Sequence, residues 1–163
     1  MKPEMCKDCP LYEASYVPPG AEVQGEPVDV IVVGEAPGEQ EVKEGRGFCG
    51  KSGKVLRNFL AHYGFKNPYF SNSVKCRPPD NRDPTAKELK CCRGLLEKEL
   101  DNFPGAPPII AQGRFALKFF SSDNLRKVHG TRVCDYSIFP VYAFYHPAAG
   151  LPNPILRAVI EVD

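Results

Sequence analysis

An α/β fold on a mainly parallel central sheet is predicted by three features of the sequence. Short apolar runs are bounded by turn residues, segments of helical period alternate with them, and polar residues gather where the apolar runs stop. The first run, "VDVIVVG" from Val28 to Gly34, is almost continuously apolar, as a strand covered on both faces must be. "GEAPGEQEVKEGRGFCG" follows, too polar and too glycine-rich for core, yet with a single Phe set among glycines. It reads as a loop that holds a flat ligand. "SGKVLRNFLAHYG" reads as a helix with Ser52 as N-cap and Gly64 just past its end.

"PYFSNSVK" suits a second strand running to Cys76, and "RPPDNRDP" is a Pro-rich loop. "TAKELKCCRGLLEKELDNF" opens with a Thr85-x-x-Glu88 capping box and is a helix. "PPIIAQG" is a buried strand, "RFALKFF" begins a helix, "VYAFYHP" is a strand ending at His146, and "NPILRAVI" is a short final helix. In open parallel sheets ligands bind beyond the carboxyl ends of the strands. Here those ends carry Gly34 to Gly38, Asn72, Gln112 and His146.

The 163 residues are most simply one domain, 1–163, with a net charge of +1. A nucleic-acid surface must therefore be local. Three basic groups are candidates, Lys51/Lys54/Arg57, Lys75/Arg77/Arg82 and Arg126/Lys127/Arg132, and each alone reads equally as a solvated face. No apolar run reaches the length that spans a bilayer, and "MKPEMCKDCP" lacks the apolar core of a signal peptide. A soluble cytoplasmic protein with no membrane partner is expected.

Seven cysteines without an export signal argue against a disulfide framework. Cys6 and Cys9 form a C-x-x-C hook, while Cys76 and the Cys91–Cys92 pair flank the Pro-rich loop and its helix. Four such thiolates suit zinc or an iron–sulfur cluster, and the single short hook leans toward a cluster. Neighbouring helix positions point about 100° apart, so only one of Cys91 and Cys92 faces a common centre. Cys49 and Cys134 read as packing residues.

The blocks "GEAPG", "GRGFCGKSG", "NSVKCRPPDNRDPTAKELKCC" and "YHPAAGLPNPILR" stand in the order and spacing of family 4 uracil-DNA glycosylases, which the chain resembles from Cys6 to about Arg157. That resemblance implies a three-layer α/β/α sandwich with a mainly parallel four-stranded sheet. It implies a monofunctional enzyme of base-excision repair that flips uracil out of DNA, hydrolyses its N-glycosidic bond and leaves an abasic site. A structural [4Fe-4S] cluster on Cys6, Cys9, Cys76 and Cys92 is implied as well. The partner is uracil-containing DNA, single- or double-stranded, and the protein is expected to be a monomer.

By the same resemblance, Phe48 stacks on the base and Asn72 reads its edge. An Asn amide accepts from uracil N3–H while donating to O4. His146 hydrogen-bonds O2 and quiets the charge that develops as the bond breaks. Glu35 orients water or steadies the oxocarbenium-like sugar, since Ala36 stands where other families of the superfamily place an Asp. Ala36 lines the pocket, and Glu41 walls it against a 5-methyl group. Lys51, Arg77 and Arg82 are nominated for DNA phosphates, and Leu151 for the space that the base leaves.

Three positions depart from the family: Gly47 for Pro, Cys49 for Val and Pro152 for Arg. The covalent branch of the superfamily uses a His in an inserted loop, whereas "RPPDNRDPT" has neither His nor insertion. A non-catalytic uracil- or DNA-binding relative and an electron-transfer iron–sulfur protein are the competing readings.

Overall fold

A computed structural model describes residues 2–146. The expected final helix, Leu151 and Pro152 lie outside the described residues. Among the described residues six strands form one sheet: β1 (Gly20–Ala21), β2 (Val30–Gly34), β3 (Pro68–Asn72), β4 (Ile109–Gln112), β5 (Thr131–Tyr136) and β6 (Phe139–Phe144). Their spatial order is β1-β3-β2-β4-β6-β5. The four inner strands run parallel, which is the sheet anticipated, and β1 and β5 add antiparallel edges. β1 is too short to show in any periodicity, and in β5 the half-buried Val133, Cys134 and Tyr136 pack on the core across an irregular register that breaks strict alternation.

Alternation along β2 builds two cores. Ile31 and Val33 pack with Ile109, Ala111, Val141 and with Leu96 and Leu100 of α3 (Ala86–Leu100). Val30 and Val32 face the other way, onto Phe70 and onto Leu56 and Leu60 of α2 (Lys51–His62). Helices thus cover both sides of the sheet, giving the three layers expected. Each fully buried Val or Ile contributes roughly 1.5–3 kcal/mol, and all four of these β2 side chains are wholly buried. The remaining helices are α1 (Glu39–Glu44), α4 (Gly113–Phe120) and α5 (Leu125–Val128). None of the helices described is long and apolar enough to cross a membrane.

Local signals account for most boundaries. The capping box at α3 forms as expected: Glu88 N donates to Thr85 Oγ1 at 3.3 Å, and Thr85 N to Glu88 Oε2 at 2.8 Å. Arg82 then forks onto the same carboxylate at 2.9 and 2.6 Å, so a wholly buried Glu88 stays ionised, its pKa lowered first by that guanidinium. Asn67, at the entrance to β3, ties down the Pro/Gly-rich connection by donating to Val23, Glu26 and Pro27 carbonyls.

Several expectations need correction. The polar stretch after β2, read as a loop, carries a short helix over Glu39–Glu44, and the last strand stops at Phe144, not at His146. The N-cap of α2 is Gly50, not Ser52, because the helix starts at Lys51. The second strand stops at Asn72, not at Cys76. There the chain turns so that Ser73 N and Val74 N donate to the carbonyls of Gly34 and Glu35, at 2.8 and 2.9 Å, which clasps the ends of β2 and β3 together. Lys75 and Arg57, assigned to basic groups that read as solvated faces, are withdrawn from solvent. Lys75 is 1% exposed, and the Arg57 side chain is mostly covered.

Lys75 Nζ donates to Ser71 Oγ at 2.6 Å, Asn72 O at 2.7 Å and Glu99 Oε2 at 2.9 Å. It therefore braces the exit of β3 from beneath. Removing one member of a buried ion pair leaves the other uncompensated and costs about 3–5 kcal/mol, whereas replacing both by apolar groups costs far less. Chemical denaturation of Lys75→Met should show a loss of that size, with much of it recovered in Lys75→Met/Glu99→Met.

Candidate active site

The carboxyl ends of the parallel strands open onto a cavity of about 360 Å³, a size typical of small-molecule sites. Its lining brings together Glu35, Ala36, Glu41, Phe48, Asn72 and His146, every residue that the sequence nominated for substrate. Arg82 joins them, while Lys51 and Arg77 lie off the lining. Lys51 is exposed at the start of α2. Arg77 donates to Asn81 Oδ1 at 2.9 Å and sits 3.8 Å from Glu39. Leu151 falls outside the described residues.

Gly34, at the end of β2, lies directly beneath two of the lining side chains. β2 and β3 run in register so that Gly34 lies beside Asn72. A Cβ built on Gly34 would come within 2.6 Å of Asn72 Oδ1 and 2.7 Å of Phe48 Cζ. One point in space is thus approached by the amide and by the ring edge together. That close approach exists only because the residue beneath has no side chain.

Phe48 is 7% exposed and takes a φ of +55°. For a residue with a Cβ this conformation costs on the order of 1–3 kcal/mol and persists only where surroundings impose it. Three neighbours do so. The ring packs on Phe70 with centroids 5.1 Å apart. Gly53, on the first turn of α2, lies so near that an added Cβ would fall 2.0 Å from the Phe48 carbonyl oxygen. Glu41 accepts from Gly38 N at 3.1 Å and from Gly50 N at 2.8 Å, pinning both ends of the segment that carries Phe48. Glu41 thus walls the cavity with its carboxylate already committed to backbone.

The titratable groups are set apart by burial. His146 is held below the ordinary imidazole range because burial disfavours its charged form, with the Glu41 charge opposing more weakly. Its ring is neutral at pH 7. Glu35 moves the other way: burial raises its carboxyl, Asp83 adds repulsion, and Arg114, itself ion-paired to Asp83, offsets part. The first turn of α2, with Ser52 and Gly53 on the lining, brings the positive end of a helix to the same cavity, which favours an anion there. Ser52, Gly53, Pro37, Gly38, Pro78 and Asn81 complete the lining without having been nominated. Their only signal was membership in the "GEAPG", "GKSG" and "RPPDN" blocks.

A second cluster lies behind the Pro-rich loop. Cys9, Cys76 and Cys92 are buried together with Leu11 and Val74, and Cys91 packs against their edge. Cys6 is also buried, and its thiol is raised by desolvation and by Cys9. Burial and the neighbouring cysteines raise Cys92 to about 11. All four are free thiols. Among the described residues no three His, Cys, Asp or Glu close on a single ion. Buried thiols from the amino-terminal hook, from the segment after β3 and from α3 thus lie in one region, and thiolates are the ligand type that zinc or an iron–sulfur cluster takes.

Comparison with known proteins agrees with this geometry. The family model described as the uracil DNA glycosylase superfamily matches residues 23–158. A type-4 uracil-DNA glycosylase of Sulfurisphaera tokodaii is 38% identical over 97% of this chain and 76% of its own length. One from Archaeoglobus fulgidus is 38% identical over 97% and 84%. A third, from Thermotoga maritima, is 35% identical over 81% and 72%. With the sandwich, the strand-end cavity and these relatives in place, the chain belongs to the uracil DNA glycosylase superfamily.

Proposed function

We propose that this chain is a uracil-DNA glycosylase of the type-4 kind, acting in DNA repair by hydrolysing the bond between uracil and deoxyribose. The observation that carries this reading is convergence. A ring, an amide, a neutral imidazole and a carboxyl meet in one cavity, in a chain of this superfamily.

Extracting the nucleotide from the stack costs a few kcal/mol. Lys51, Arg77 and Arg82 contribute phosphate contacts that offset part of it. Arg82 does so while anchored on Glu88, which fixes its position at the cavity rim. Uracil then lies against Phe48, a contact worth roughly 1–3 kcal/mol. Asn72 accepts from N3–H and donates to O4. Cytosine presents the opposite polarity at both atoms and leaves a buried group unpaired, at about 1–3 kcal/mol. His146, neutral, donates to O2 as negative charge gathers on the departing base, and the amino-terminal turn of α2 supports the same charge. Glu35, when ionised, steadies the sugar cation or aligns the attacking water. The product is an abasic site with an intact backbone, and the protein acts as a monomer.

Cys6, Cys9, Cys76 and Cys92 hold a [4Fe-4S] cluster in this reading, with Cys91 at its margin. The cluster supplies a covalent tie between the amino-terminal hook and the loop after β3, and no chemical step. Anaerobically prepared protein should carry a broad visible charge-transfer band, lost in Cys92→Ser and kept in Cys91→Ser. The reverse pattern would exchange the two ligands.

Uracil-containing oligonucleotide, single- and double-stranded, should yield free uracil and an alkali-labile site. Binding without release of uracil would mark a non-catalytic relative instead. Gly34→Ala should abolish release while retaining the fold by circular dichroism, because its Cβ fills the point that Asn72 and Phe48 share.

The acid limb of kcat should belong to Glu35 and lie above the ordinary carboxylate range, since its raised pKa keeps it protonated to higher pH. Asp83→Asn removes a repelling charge and should move that limb to lower pH. His146→Leu should lower kcat by roughly 10²–10³ and leave the limb's midpoint in place. A midpoint that ignores Asp83 would assign the limb to another group.

A further inference from the structure

Arg57 lies on α2, on the side of the Phe48 turn away from the cavity, and the proposed mechanism gives it no task. Its guanidinium grips backbone. Nε donates to the carbonyl of Phe48 at 3.1 Å, and Nη2 donates to that of Gly47 at 3.0 Å. The plane lies over the ring of Phe70, 4.1 Å from its centroid, and Phe70 is the ring on which Phe48 packs. Glu22, which follows β1, closes the arrangement by ion-pairing with Arg57 and, at 2.6 Å, with Arg46 just before the turn. Glu22 is itself fixed, since its N–H donates to Pro68 O at 3.0 Å.

The turn needs such a hold. Phe48 has a positive φ that its side chain disfavours, and the residue before it is glycine, whose backbone visits more conformations than any other. No hydrogen bond from the Phe48 ring can fix its direction, so beyond its packing on Phe70 the ring depends on where the backbone at 47 and 48 aims it. Two carbonyls held by one planar, five-donor group set that direction. A lysine, as a single point donor, cannot span both in the same way.

We propose that Arg57 is a positioning residue that aims the Phe48 ring at the base, performing through Gly47 and Phe48 carbonyls the stiffening that the glycine at 47 does not. This rests on the reading of Phe48 as the stacking partner. Glu22 holds the guanidinium in turn, so the edge of the sheet reaches the base through Arg57.

The test compares affinity for free uracil, and KM and kcat on uracil oligonucleotide, across Arg57→Ala, Arg57→Lys, Glu22→Gln, Phe48→Ala and Gly47→Pro. The space around Gly47 admits a side chain, the nearest atom to an added Cβ being 4.0 Å away. Arg57→Ala should weaken uracil binding and raise KM by roughly tenfold, within the range of one lost base–aromatic stack. Arg57→Lys should recover only part, and Glu22→Gln, which keeps the arginine, should show a smaller loss in the same direction. Gly47→Pro should restore much of the affinity lost in Arg57→Ala. In a Phe48→Ala background, Arg57→Ala should add nothing.

Loss in Phe48→Ala with wild-type affinity in both Arg57→Ala and Glu22→Gln would overturn the proposal and leave the stacking role standing. Unchanged affinity in Phe48→Ala would overturn both. Equal, additive losses with and without Phe48 would show Arg57 acting elsewhere, and would also overturn it. If Arg57→Ala does not fold, Glu22→Gln and Arg57→Lys carry the same comparison.

Discussion

The missing side chain at Gly34 is the constraint on which the site depends. β2 is the strand whose four buried side chains join both cores, so its carboxyl end cannot shift without disturbing the layers on either side. At that fixed end the chain has a hydrogen where any other residue would place a methyl, and Asn72 and Phe48 close over it. The amide comes from the neighbouring parallel strand in register, and the ring comes from the loop that follows β2. One rigid element thus supplies Gly34, and a second the Asn72 amide. Of the three groups that meet at this point, only the ring comes from outside the strands.

That division explains how many contacts are spent on the loop. Glu41 takes the backbone at Gly38 and Gly50, Gly53 presses on the Phe48 carbonyl, and Phe70 backs the ring. A strained φ at an aromatic residue persists only under such restraint. Of these groups only Glu41 belongs to the polar stretch after β2, whereas Gly53 lies on α2 and Phe70 on β3. Glu41 holds the main chain, while Glu39, Gln40, Lys43, Glu44 and Arg46 around it are exposed.

The exit of β3 shows the same economy from the opposite side. The Asn72 carbonyl is held by a buried ammonium while its amide faces the cavity. The next residue but three is Cys76, so the strand end, the buried ion pair and the four-thiol cluster follow one another within a few residues. A burial penalty on Lys75 is tolerated because Glu99, Ser71 and a carbonyl satisfy all three of its protons.

The sequence by itself determined the inner parallel sheet, the three main helices, the capping box at Thr85 and part of the cavity lining. Each of these is written in local code: hydrophobic period, cap chemistry, or motif blocks in order. The same code assigned Ser52 as a cap and carried β3 on to Cys76, because apolar pattern continues past the point where the Ser73–Val74 amides turn back to β2. It could not show that Lys75 and Arg57 are buried, since a charge has the same letter whether it meets water or a carbonyl. Only the tertiary structure decided that Glu41 staples backbone, that Gly34 lies beneath both Asn72 and Phe48, and that Arg57 grips the turn. These depend on which side chains meet across segments distant in the chain, and no period or spacing records that.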